Sequence, residues 1–234
     1  MVLGISDIFN GTLSVIFVII NLFVGLTILS KYFKLGNKNF IYVGITWIGI
    51  SCPYIAAAVS FLIALIHESG LPIELYFTIA IVITPIFIVL WNLAMTNLLY
   101  KKHQKLIISI SIVISVVLLG FFIYGLIFDI SLIGQKEGVS DTDWSTFVTI
   151  YFFILLLYIL ITGLAIAWQS LKSDDSVIRI KGGLLAAAFI LLVFGGIIDA
   201  FLDNPLTRVI MMISAILFYF GWIMPESLKR YLSK

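Results

Sequence analysis

Uncharged polar side chains are the groups in this sequence best placed to act chemically inside long apolar runs. Asn21 stands midway along the first such run, and Thr84, Trp91, Asn92, Thr96 and Asn97 lie along the third. Asn92 and Thr96 are four residues apart and share one face of a helix. A carboxamide in hydrocarbon needs a protein partner, because lipid offers none. Two uses fit the spacing. One is glue between helices, worth about 1 kcal/mol or less per hydrogen bond. The other is a central cavity lined by Asn21, Thr84, Trp91, Asn92 and Thr96, in which Asn21 and Asn92 meet a small neutral polar ligand and Trp91 stacks on it.

Charged groups near these runs are few and peripheral. Asp199 and Asp203 are one helical turn apart, and either could pair with Arg208 across the Asn204-Pro205 turn as a structural clasp. No chain of carboxylates crosses the runs, which argues against a proton pump and against cation coupling. The single cysteine, Cys52, excludes an intramolecular disulfide and a thiolate-built zinc site. His67 and His103 fall in separate loops, so no helical zinc pair forms. No Gly-x-Ser-x-Gly, no His-Glu-x-x-His and no intramembrane Asp pair is present. The expectation is a protein that is not an enzyme, holds no metal and has no nucleic-acid partner.

The elements that must position these residues follow from composition. Of 234 residues, 62% are hydrophobic and 11% charged, against about 25% charged in a soluble domain. Mean hydropathy is +1.20. So little charge cannot cover a globular surface, and the chain reads as an all-α membrane protein whose partner is the lipid bilayer. Seven runs, roughly residues 10–32, 39–66, 72–99, 106–133, 145–171, 178–201 and 206–227, meet the span requirement of about 20 mostly apolar residues. They predict one seven-helix transmembrane domain over residues 1–234. The first run has neither a charged leader nor a small-residue cleavage site and reads as a retained span.

Twelve of the 14 Lys and Arg residues lie between, or at the facing ends of, runs one and two, three and four, and five and six, or after run seven. Only Lys136 and Arg208 lie on the other side. The positive-inside rule then predicts an outer N-terminus and a cytoplasmic C-terminus in a cell membrane. The longest connection, about Ser131 to Ser145, is external and reads as an ordinary solvated link, with a ligand lid as the alternative. The sequon Asn10-Gly11-Thr12 lies too close to the first span to expect glycosylation.

Pro53 and Pro85 interrupt runs two and three, freeing the carbonyls of Gly49 and Ile81 and predicting kinks. Gly182, Ala186, Gly183 and Ala187 make small-xxx-small patterns that predict close packing. An offset of 138 aligns Gly25 with Gly163, Lys34 with Lys172 and Gly44 with Gly182. This suggests a parallel pseudo-repeat of three, one and three spans, an arrangement that transporters use.

Run seven carries no lysine, so a retinal Schiff base has no amine to form on. Sugar transporters of the three-one-three kind are similar in size and topology, but Pro53 and Pro85 have no matched partners in runs five to seven. In layout, and in the exit of run seven from Trp222 to Lys229, the chain resembles the seven-helix input modules that precede bacterial and archaeal sensor kinases. The functional expectation is a sensor- or receptor-like module signalling through a separate cytoplasmic partner. The alternatives are a facilitative transporter of a small neutral solute, rocking spans 1–3 against 5–7, and a non-catalytic assembly subunit.

Overall fold

A computed structural model describes residues 3–67, 69–202 and 206–225, without the side chains of 201 and 202. Asp203, the Asn204-Pro205 turn and the residues from Glu226 onward lie outside the described residues. Helices dominate. They are α1 (Ile5–Leu35), α2 (Asn39–Ile50), α3 (Cys52–His67), α4 (Ile73–Phe77), α5 (Thr84–Leu98), α6 (Gln104–Phe128), α7 (Thr146–Leu171), α8 (Ser176–Leu202) and α9 (Thr207–Ile223). A π-helical turn, Thr78–Val82, joins α4 to α5.

Five helical stretches are long and apolar enough to cross a bilayer: α1, the composite Ile73–Leu98, Lys101–Phe128, α7 and Ser176–Ala200. A sixth arises if α2 and α3, bent by 55° at Ser51, count as one broken span. The protein is therefore a multi-pass membrane protein. α9 has 17 residues, about 25 Å at 1.5 Å per residue, which is short against a hydrocarbon core of about 30 Å.

Both proline interruptions have a local cause and a local remedy. Pro85 sits in the first turn of α5, where a missing N–H costs nothing. The carbonyl it frees, Ile81, accepts instead from the Thr84 hydroxyl at 2.7 Å. The preceding backbone widens into the π turn, a frequent accompaniment of a helix break. Pro53 likewise occupies the first turn of α3, just after the bend.

Two triplets make up the bundle. α1, the α2–α3 pair and the α4–α5 span form one, and α7, α8 and α9 form the other. α1 closes the bundle by packing along α9, whereas α5 and α7 touch sparsely. α6 lies outside, against α5, with Ser111, Ser115, Phe122 and Gly125 as its buried residues. At one end the main apolar cluster spans both triplets, including Val43, Trp47, Trp91, Phe189 and Phe218. Trp47 stacks on Phe218 with ring centroids 3.6 Å apart and 9° between planes.

Close helix crossings recur at matched positions. A Cβ on Gly44 would lie 2.7 Å from the Gly25 carbonyl oxygen and 2.9 Å from the Leu29 nitrogen. One on Gly182, the residue 138 positions on, would lie 2.9 Å from the Ala167 oxygen and 2.8 Å from the Leu171 nitrogen. Gly183, paired with Ala187 in the second small-residue pattern, faces outward with open space around it.

Gly44→Leu should therefore lower folded yield sharply in detergent. Gly120→Ala and Gly183→Ala, which meet nothing within 4 Å, should hold or raise the melting temperature, by roughly the 0.5–1 kcal/mol that glycine costs in a helix.

Candidate ligand cavity

The Ser131–Ser145 connection is not a solvated link. Gly134–Glu137 (β1) and Asp141–Trp144 (β2) pair antiparallel, with Gly134 opposite Trp144 and Glu137 opposite Asp141. Gly138 supplies the left-handed turn residue, φ 62°. One side of the tip is buried, with Val139 and Ser140 3% and 4% exposed, while Glu137 and Gly138 are exposed.

Hydrogen bonds fasten this hairpin to the α3–α4 connection. The Ser60 hydroxyl donates to the Val139 carbonyl at 2.5 Å and accepts from the Leu71 amide at 3.0 Å. Lys136 Nζ donates to the Leu71 carbonyl at 2.7 Å and lies 5.4 Å from the centre of the Tyr76 ring. Ile133 and the ring of Trp144 join Tyr76, Phe77 and Tyr151 in a second apolar cluster beneath the hairpin.

Under the hairpin lies a cavity of about 470 Å³, within the size range of small-molecule sites. Every helix except α6 contributes to its wall. At the hairpin end the wall carries Glu137, Ser140, Asp141, Thr142, Asp143 and Trp144. Tyr54, Asp199 and Arg208 also line the wall. The far end is apolar and aromatic, with Phe87, Ile88, Trp91 and Ile159. Both helix breaks open here, since Gly49, Pro53 and Thr84 are also on the wall.

The expected clasp takes an indirect form. Tyr54 donates to one Asp199 oxygen at 2.8 Å, and Thr207 donates to the other. Arg208 Nη1 donates to the Asn10 carbonyl at 2.6 Å, and its guanidinium lies 5.7 Å from the Tyr54 ring centre. Tyr54 thus stands between the two charges. Arg208 is 5% exposed and its Nε has no partner among the described residues. The Ser140 hydroxyl is likewise buried and has none among them.

Of the five residues expected around a central site, Thr84 and Trp91 line the cavity. Trp91 Nε1 donates to Thr162 at 2.8 Å, and its ring meets Phe189 edge-on at 5.8 Å. Asn21, Asn92 and Thr96 are buried away from the wall. Asn21 donates back to the Phe17 carbonyl of its own helix at 2.9 Å. Asn92 ties three helices together, donating to Ser111 of α6 at 2.6 Å and accepting from Tyr158 of α7. Thr96 donates to the Asn92 carbonyl at 2.6 Å and accepts from Gln104 at 3.1 Å. The five candidates thus divide between two on the wall and three buried beside it, of which Asn92 and Thr96 join neighbouring helices and Asn21 bonds within its own.

Sequence reasoning missed Tyr54, Tyr76, Trp144 and the hairpin residues. The alternation from Gln135 to Asp143 is almost wholly polar, so no apolar period of two marks a strand. Gly134 and Gly138, which permit the hairpin's backbone, were the readable signal. The chain matches no family model, no curated protein and no solved structure.

Asn92→Leu should lower stability by about 1 kcal/mol, read as a melting shift. Burial holds the Lys136 ammonium below its ordinary value of 10.5. The folded protein then releases this proton before the unfolded chain does, so stability rises with pH between the folded value and 10.5. Melting temperature measured across that alkaline window should climb more steeply in the wild type than in Lys136→Met.

Proposed function

We propose that the chain is a ligand-responsive seven-helix module of a cell membrane. α9 makes the seventh crossing, the N-terminus and hairpin face outside, and the lysine-rich end faces the cytoplasm. A small molecule enters the cavity from the hairpin side and biases the packing of the two triplets, and a separate cytoplasmic partner reads the shift. The observation that carries this reading is the cavity's polarity. It is polar and charged beneath the hairpin, apolar at depth, and backed by the Trp47–Phe218 cluster before the lysine-rich end. Side chains that merely glue helices would leave no such space.

A second reading, facilitative transport by rocking of the triplets around α6, is favoured by one specific observation. Gly44 and Gly182 make comparable helix crossings at matched positions in the two triplets, while contact between α5 and α7 is sparse. Parallel repeats of this kind move against each other in transporters.

The two readings separate by access. In a Cys52→Ala background, Thr149→Cys places a thiol on the α7 wall of the cavity. An impermeant thiol reagent applied to oriented vesicles should label it from the hairpin side alone if the module is a receptor. Labelling from either side, in separate populations, moves the transporter to the front. Protection from both sides removes both readings.

A further inference from the structure

Among the described residues, three side-chain hydrogen bonds tie α5 to α7. Thr84 spends its own hydrogen on the Ile81 carbonyl at 2.7 Å, so Tyr151 is the donor across the 2.9 Å between their hydroxyls. Trp91 Nε1 donates to Thr162 at 2.8 Å, and Tyr158 donates to the side-chain oxygen of Asn92. Thr84 and Trp91 are seven residues apart on α5, as are Tyr151 and Tyr158 on α7. The bonds therefore recur every two turns, as rungs along one face of each helix.

The other helix seams are held differently. Inside each triplet the backbones touch: a Cβ on Gly44 would lie 2.7 Å from the Gly25 oxygen, and one on Gly182 2.9 Å from the Ala167 oxygen. Between the triplets α9 packs along α1, with Phe17, Met211 and Met212 in one apolar cluster. Arg208 adds a 2.6 Å bond from α9 to the Asn10 carbonyl of α1. At the α5–α7 seam backbone contact is sparse. Apolar contacts between membrane helices have no hydrophobic drive, because lipid tails replace them. The rungs are therefore the specific restraint on this seam.

Each rung can be given up without stripping the residue that accepts it. Thr84 keeps Ile81, Asn92 keeps Ser111 at 2.6 Å, and Thr162 keeps the Tyr158 carbonyl at 2.7 Å. Two of the three donors, Trp91 and Tyr158, line the cavity. A buried donor left without an acceptor is costly, and an acceptor on a cavity ligand removes that cost.

We propose that these three bonds form a latch between the triplets, and that the α5–α7 seam parts when they are lost, pivoting on the α1–α9 contact. This inference rests on the ligand-responsive reading and names the regulation of that site. A ligand acceptor beside Trp91 or Tyr158 takes the rung's hydrogen and shifts the balance towards the parted bundle. A bond of this kind moves an equilibrium about threefold, and three together about twentyfold where they add.

The test removes the rungs one oxygen at a time, in the triple variant Tyr151→Phe, Tyr158→Phe, Thr162→Val. Nitroxide labels on Ile86→Cys of α5 and Ile154→Cys of α7, in a Cys52→Ala background of the full chain in nanodiscs, report the seam. Labels on Ile16→Cys of α1 and Ile213→Cys of α9 report the pivot. All four sites are exposed. Distances come from double electron–electron resonance. The triple variant should enrich a second seam distance, longer by roughly 2 Å or more, while the pivot distance stays as in the wild type. Tyr158→Phe alone, which keeps the ring and loses one bond, should raise the ratio of long to short distances about threefold.

An unchanged seam in the triple variant, or a pivot that widens as much as the seam, would overturn the proposal. Should the triple variant not fold, an unchanged seam in Tyr158→Phe overturns it equally. If Thr149→Cys is labelled from the hairpin side while the seam does not respond, the latch is wrong and the ligand-responsive reading stands. If Thr149→Cys is protected from both sides, the reading has failed and the regulatory role falls with it.

Discussion

In hydrocarbon every backbone carbonyl must find a donor within the protein, and this constraint fixes where the molecule can open. Two of its apolar stretches interrupt their helical ladders, at Ser51–Pro53 and at Val82–Pro85. Neither interruption could face lipid without stranding polar backbone groups, at several kcal/mol each. Both face the same interior cavity, where Gly49, Pro53 and Thr84 share a wall. The Thr84 hydroxyl serves the Ile81 carbonyl and also lies 2.9 Å from the Tyr151 hydroxyl. The break is thereby tied to the opposite triplet. The cavity and the broken helices each require the other.

The hairpin follows from the same constraint at the bundle's end. The α3–α4 connection leaves backbone groups at Leu71 that no helix satisfies. Ser60 takes up the amide and Lys136 the carbonyl, Ser60 also donates to the Val139 carbonyl, and a polar connection becomes a fixed roof. The roof places carboxylates over an otherwise aromatic space. At the opposite end the interior closes through large apolar side chains, with Trp47 against Phe218 and Trp91 against Phe189. One end of the cavity is therefore chemically selective and the other is a hydrophobic floor. A ligand that shifts either triplet would act on that floor, because the main apolar cluster draws on both.

Much of this architecture was legible in the residues. Hydropathy located the long helices, and the prolines located both breaks, because those signals are local and strong. Asn92 was legible as an amide needing a partner, but which partners, Ser111 and Tyr158, depends on how α5, α6 and α7 meet. Asn21 satisfies itself on its own helix, an outcome that spacing cannot distinguish from a ligand contact. Tyr54 and Asp199 lie 145 positions apart, so nothing in the sequence joins them. The hairpin was hidden for a different reason. Its strands are polar on both faces, and only the buried tip at Val139 and the anchoring Ser60 reveal what the connection does.

The central claim is that the two helix breaks open onto a hydrated interior cavity rather than a dry core. Backbone hydrogen exchange of the full chain in nanodiscs tests it directly. The amides of Ser51, Cys52, Tyr54, Ile83 and Thr84 should exchange at least about a hundredfold faster than those from Val18 to Phe23 in the unbroken middle of α1. Exchange at the breaks as slow as in the middle of α1 would mean a dry, sealed core and would contradict the account.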